Sequence, residues 1–137
     1  MEIKPLNKFR RLKEFSKFFK INSDTVIAYD NTIYSNRELY PDVLEHEKVH
    51  LQQQKKYGLD TFTKKYLNDK KFRLEMEVQA FQAQFDSIKD TGLRDAVIQD
   101  SIIALTSGLY GKVTKKEAEQ LLGIKKEKPR LDVNSLI

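Results

Sequence analysis

The sequence predicts a mainly α-helical domain of the α+β kind, with a small β element just before one central helix. Three observations carry this expectation. Apolar residues recur every three or four positions over most of the chain, the spacing of a helix face. Residues 25–35 are instead rich in Thr, Val, Ile and Tyr, the residues that suit strands. Glycines and capping residues then divide everything beyond Tyr40 into pieces of helical length. A chain of 137 residues can bury one modest core, and 33% charged against 39% apolar residues indicates a heavily solvated surface.

Leu6, Phe9, Leu12, Phe15 and Phe18/Phe19 predict an amphipathic, basic helix over 5–20, ended by Asn22, Ser23 and Asp24. Residues 25–29 and 32–35 read as two short strands joined through Asp30-Asn31, a small hairpin. Ser35-Asn36-Arg37-Glu38 offers a capping box, and Pro41 suits a first helical turn, so a helix is expected over 41–57 with Gly58 as its stop. Asp60 can cap a shorter helix over 61–67. Asn68 or Asp69 can open another over about 70–89, with Gly92 beyond its end. Val97, Ile98, Ile102 and Leu105 mark a helix over 94–107, stopped by Gly108. Thr114-Lys115-Lys116-Glu117 is a second capping box, for a short helix ending at Gly123. A single domain over 1–124 is expected, followed by a flexible charged tail over 125–137 that contains Pro129.

Charge and cysteine narrow the chemistry. No cysteine is present, so disulfides and thiolate ligation are excluded and any metal must be held by nitrogen and oxygen. The net charge of +5 is uneven: seven of the first twenty residues are Lys or Arg, and Lys125, Lys126, Lys128 and Arg130 form a second run. Such ends can meet nucleic acid or an anionic surface, or simply solvate the protein. The sequence has no apolar run of membrane-spanning length and no apolar signal core, so a soluble, cytoplasmic protein is expected.

The only two histidines stand four apart around a glutamate, in His46-Glu47-Lys48-Val49-His50. Chance would produce this H-E-x-x-H pattern about once in a thousand arrangements of this composition. On a helix both imidazoles share a face and can meet one ion, while Glu47 lies about 100° away, within reach of a water beside it. A catalytic zinc site takes three protein ligands and leaves a position for water. With no third histidine and no cysteine, the third ligand is expected to be a carboxylate, and Glu75 and Glu77 on the 70–89 helix are the candidates. Helical phase favours Glu77, which lies between the stripe of Val78, Phe81, Phe85 and Ile88 and that of Phe72, Met76, Ala80 and Ala83. A carboxylate there needs a compensating cation. Ala80 removes bulk where two helices would meet. Glu75 lies nearer the polar side and remains the alternative.

These residues resemble the gluzincin branch of the zincin metallopeptidases. More closely, they are similar to small phage and bacterial H-E-x-x-H metallopeptidases with an upstream "TIY" strand and a His-Glu-x-x-His-x-x-Gln core, here Thr32-Ile33-Tyr34 and His46 through Gln53. Glu75 to Ala80 resembles their ligand-bearing helix, except that Val78 follows the second glutamate where alanine is common. The resemblance covers residues 32–85, with an echo at Ser107-Gly108-Leu109-Tyr110-Gly111. It implies a compact zincin-like domain and Zn²⁺ held by His46, His50 and Glu77. It further implies hydrolysis of a peptide or protein substrate by a metal-activated water, with Glu47 as general base. Tyr34, Tyr40 and Tyr110 are the candidate oxyanion donors, and strand 32–35 is the expected edge along which an extended peptide would align. Two other functions compete. One is a non-catalytic or single-target regulatory metal-binding protein on this scaffold. The other is a nucleic-acid or membrane-surface module built on the basic N-terminal helix.

Overall fold

A computed structural model describes residues 1–124, and the tail over 125–137 lies outside the described residues. Strands β1 (Glu2–Lys4), β2 (Ile27–Tyr29) and β3 (Thr32–Tyr34) form one small sheet. Helices α1 (Leu12–Phe15), α2 (Pro41–Tyr57), α3 (Leu59–Asn68), α4 (Lys70–Asp86), α5 (Thr91–Leu105) and α6 (Lys115–Leu122) complete a mainly α structure with a minor β part.

The hairpin forms because Asp30 and Asn31 accept left-handed backbone, with φ of 49° and 59°. Two such residues make the tight turn whose twist suits antiparallel strands, here Ile27–Tyr29 against Thr32–Tyr34. β1 then pairs parallel to β3, Glu2 opposite Thr32 and Lys4 opposite Tyr34, giving the order β1-β3-β2. The expected edge strand, 32–35, is therefore the central strand, and β2 forms an edge.

The expected helix over 5–20 is not formed. Residues 2–4 are a strand, Leu6–Lys8 are one 3-10 turn, and only Leu12–Phe15 are α-helical. Two causes are visible. Leu6, Phe9, Leu12, Phe15 and Phe18 repeat at intervals of three, which fits a chain of 3-10 turns as well as an α-helix. Pro5 adopts extended backbone, and the Leu6 N–H is taken by Asn36 Oδ1 at 3.0 Å, which fixes the chain beside the loop after β3. Phe9 and Phe15 of the aromatic stripe still face inward, while Phe18 is exposed. Phe9 packs on Phe15, Tyr29 and Tyr34 with ring centroids 4.9, 5.2 and 5.0 Å away.

α2 begins with Pro41 at its first turn and stops at Gly58, whose φ of 86° favours glycine. Its N-cap is Tyr40, and the expected capping box is absent: the Ser35 hydroxyl closes on Arg37 instead, donating to its carbonyl and accepting from its N–H. Asp60 lies inside the first turn of α3, which starts earlier than expected. Asp69 caps α4 by accepting from the N–H groups of Lys71 and Phe72. α4 ends at Asp86, and Gly92 belongs to the first turn of α5, which Asp90 caps. The Thr114–Glu117 capping box is fully formed, and Gly123 ends α6 in left-handed conformation.

α2 lies between β2 on one side and α4 on the other, and α4 in turn supports α5 and α6. Val78, Phe85, Ile102, Leu105, Ala118 and Leu122 fill the α4-α5-α6 core. Arg73 is buried without a carboxylate. It donates to the carbonyls of Tyr66, Leu67 and Leu109, and its guanidinium lies 4.9 Å from the ring centre of Phe19. One side chain thus ties the end of α3 to the segment after α5. Leu105 is fully enclosed, so Leu105→Ala is expected to cost about 2–5 kcal/mol of unfolding free energy in urea titration.

Candidate metal centre

The inward face of α2 carries His46, Glu47, His50, Leu51, Gln53 and Gln54, and only Leu51 among them is apolar. Burying such a face is costly unless its groups find partners. The partners come mainly from α4. Ala80, fully enclosed, has no bulk to hold the two helices apart. Glu77 is 5% exposed and meets both histidines, with His46 Nε2 at 3.2 Å from its Oε1 and His50 Nε2 at 2.7 Å from its Oε2. The two Nε2 atoms are 3.2 Å apart. Glu75 is exposed, whereas Glu77, the glutamate that helical phase favours, is buried beside the histidines.

The far side of each ring decides what the near side is. His46 Nδ1 lies 2.9 Å from Gln84 Oε1, and His50 Nδ1 lies 2.9 Å from Gln53 Oε1. Both carboxamides are themselves oriented by acceptors on their nitrogens. Gln84 Nε2 donates to Asp42 Oδ2, and Gln53 Nε2 donates to the Met76 carbonyl and Gln79 Oε1. Amide oxygens must therefore face the rings, so Nδ1 carries the proton on each neutral imidazole. Both Nε2 atoms then present lone pairs to one another and to a carboxylate. Three acceptors converging in a buried space require a positive charge between them.

A divalent ion fits that requirement. Donors held about 2.0–2.1 Å from a tetrahedral ion lie about 3.3 Å apart, close to the 3.2 Å between the two Nε2 atoms and between His46 Nε2 and Glu77 Oε1, while the 2.7 Å from His50 Nε2 to Glu77 Oε2 is shorter. His46, His50 and Glu77 are placed to bind a metal ion, with ligand atoms all within 4.8 Å of one another. Without one, a proton takes its place. Burial opposes charge on His50, but the Glu77 carboxylate and its hydrogen bond prevail and raise His50 to about 9. Burial likewise opposes the ionised form of Glu77, and the two histidines outweigh it, holding the carboxyl far below its ordinary range.

Glu47 has no hydrogen-bond partner among the described residues, although it is 8% exposed. It borders a cavity of about 160 Å³ that it shares with His46, His50, Glu77, Tyr66 and Tyr110. Burial lifts its carboxyl above the ordinary range, against the opposing pull of the two histidines.

The tyrosine candidates separate clearly. Tyr110 lines the cavity, Tyr34 packs into the aromatic cluster on Phe9, and Tyr40 is 71% exposed away from the site. Tyr66 was missed by the sequence reading. Its hydroxyl donates to Glu77 Oε2 at 3.0 Å, and no motif marks it. Gln84 was also missed, although it stands seven residues after Glu77 and so shares its helix face.

No family model, curated protein or solved structure matches this chain, so the site is read from its own geometry.

Metal content measured on purified protein should fall to background in His46→Ala and Glu77→Ala and stay at the wild-type level in Glu75→Ala. An arriving ion must displace the proton from His50. Affinity is therefore expected to rise with pH up to about 9 and then level, and calorimetry in buffers of different ionisation enthalpy should register the released proton. The metal-free protein should show the opposite trend. His50 is raised above its ordinary 6.5, so its stabilisation is complete below 6.5 and disappears as pH rises through about 9, lowering Tm over that window.

Proposed function

We propose that the protein is a zinc-dependent peptidase, with zinc held by His46, His50 and Glu77 and Glu47 as the general base. The observation that carries this reading is Glu47: a buried, unpartnered carboxylate opening on the same cavity as the three ligand atoms. A purely structural metal site needs no such group. Two imidazoles and one carboxylate, with no thiolate, suit zinc with an open coordination position. Zinc bound there supplies a Lewis acid that activates water and polarises a carbonyl.

The chain's own residues divide the remaining work. Glu47 accepts the water's proton and returns it to the leaving amine, a role favoured by a carboxyl that burial raises above its ordinary range. The Gln53 and Gln84 carboxamides hold the imidazoles with Nε2 bare. Tyr66 commits its proton to Glu77 and the Tyr29 hydroxyl is engaged by Arg11, while Tyr110 lines the cavity with no hydrogen-bond partner among the described residues. Burial holds the Tyr110 hydroxyl above its ordinary pKa, so it remains a donor for a developing oxyanion at neutral pH. Phe15, Phe19, Ile21 and Phe62 make another wall of the cavity apolar, suited to a bulky apolar side chain. β2, also on the cavity, is the strand beside which an extended main chain would lie.

Glu47→Gln is expected to retain the metal and lose peptide hydrolysis in a mass-spectrometric cleavage assay. Native-rate cleavage by that variant would remove Glu47 from the mechanism. A wild-type protein that binds zinc tightly but cleaves nothing would favour the non-catalytic alternative. Tyr110→Phe should lower kcat by roughly 10²–10³ with unchanged metal content.

A further inference from the structure

Gln54 lies one helical turn after His50 on the inward face of α2, 5% exposed, and takes no part in the metal centre. Its carboxamide is seated on β2. Nε2 donates to the Ala28 carbonyl at 2.8 Å, and Oε1 accepts from the Asp30 N–H at 2.9 Å. A carbonyl and the N–H two residues later are the pair that one residue of an added parallel strand would engage with its own N–H and C=O. The side chain therefore presents to β2 the same donor and acceptor that a neighbouring main chain would bring.

A strand residue turns its N–H and C=O to the same side, and successive residues alternate. With the Ala28 carbonyl on Gln54, the Ala28 N–H also faces away from β3, toward the side of α2. Val26, two residues earlier, faces the same way. Both Val26 and Ala28 border the cavity that holds His46, Glu47 and His50. The edge is thus divided: the stretch from Val26, just before β2, to Ala28 borders the cavity beside the ligands, and the stretch from Ala28 to Asp30, in the turn after β2, is closed by Gln54.

We infer that Gln54 is a specificity-determining residue that limits the substrate to a short extended segment, pairing with the chain from Val26 to Ala28 at the start of β2 and ending where the Gln54 carboxamide begins. This rests on the peptidase reading and adds to it a substrate class: peptides recognised over few residues on one side of the reacting bond. Unlike a loop or a bulky side chain, Gln54 would block extension by already satisfying the main-chain groups that extension needs. Removing the amide would reopen them.

The test measures Kd of the zinc-loaded protein for peptide hydroxamates of one to five residues. Two series are used, one growing from each side of the hydroxamate. In the wild type, affinity should stop improving after about two residues in one of the series. In Gln54→Ala that series should keep gaining, by about three- to tenfold for each restored pair of hydrogen bonds, while the one-residue compound binds both proteins alike. Continued gain in both series of the wild type, equal weakening at every length in the variant, or no binding at any length would overturn the inference.

Amide exchange on the wild type provides a second measurement that does not need the variant to fold. Asp30 N–H should be protected in the free protein, and Ala28 N–H should become protected when the two-residue hydroxamate is added. Rapid exchange at Asp30, or no change at Ala28, would overturn it. Cleavage of peptides of matching sequence is followed separately. A length limit in binding without cleavage retires hydrolysis and leaves the Gln54 limit standing. Cleavage with no length limit does the reverse.

Discussion

The meeting of three lone-pair donors between α2 and α4 is the constraint on which the remainder of the structure depends. His46 and His50 have their protons fixed on Nδ1, and Glu77 brings a carboxylate to their bare nitrogens. This arrangement is unstable alone and becomes favourable when a positive charge occupies it. It forces α2 to turn a polar face inward, where an ordinary helix would bury leucines. Apart from Glu47, which opens on the cavity, the polar groups around that face are matched: Gln53 reaches the backbone of α4, Gln54 the backbone of β2, Gln84 the side chain of Asp42. No fully enclosed side-chain nitrogen or oxygen among the described residues is left without a partner. The site and the packing of α2 are one network.

That network also explains the role of the apolar parts. α5 and α6 do not line the cavity, but they pack on the opposite side of α4 and hold Glu77 at a fixed height. The aromatic cluster around Phe9 does the same for β2 from the sheet side. Arg73 joins the two regions near Tyr66 and Leu109, next to the two tyrosines that reach the metal centre. A buried guanidinium satisfied by three carbonyls fixes backbone, and these carbonyls belong to or adjoin the cavity tyrosines Tyr66 and Tyr110.

Much of this was readable in the sequence, because it depended on local rules. The bounds of α2 followed from Pro41 and Gly58, the hairpin from Asp30-Asn31, and the burial of Glu77 with Glu75 exposed from helical phase. What was not readable depended on partners distant in the chain. β1 has no strand signature of its own and exists because β3 offers an edge thirty residues later. The N-terminal stripe has a period compatible with two kinds of helix, and the Leu6–Asn36 hydrogen bond decides between them. Once β1 was added, the strand expected at the edge became central and β2 took its place beside the site. Tyr66 and Gln84 have no motif to reveal them, since their roles arise only when α2, α3 and α4 are folded together.

The ligands' position in the chain has a consequence for how the protein holds together. All three lie within α2 and α4, consecutive neighbours apart from the short α3, so an ion joining them closes a loop of roughly thirty residues. Closing that loop confines the unfolded chain only between α2 and α4. The ion would act as a local latch on a helical hairpin and would leave β1, α5 and α6 to be held by their own packing. Loss of metal would then loosen α2 against α4 before it disturbed the periphery, opening the molecule at its functional centre while its outer helices stayed in place.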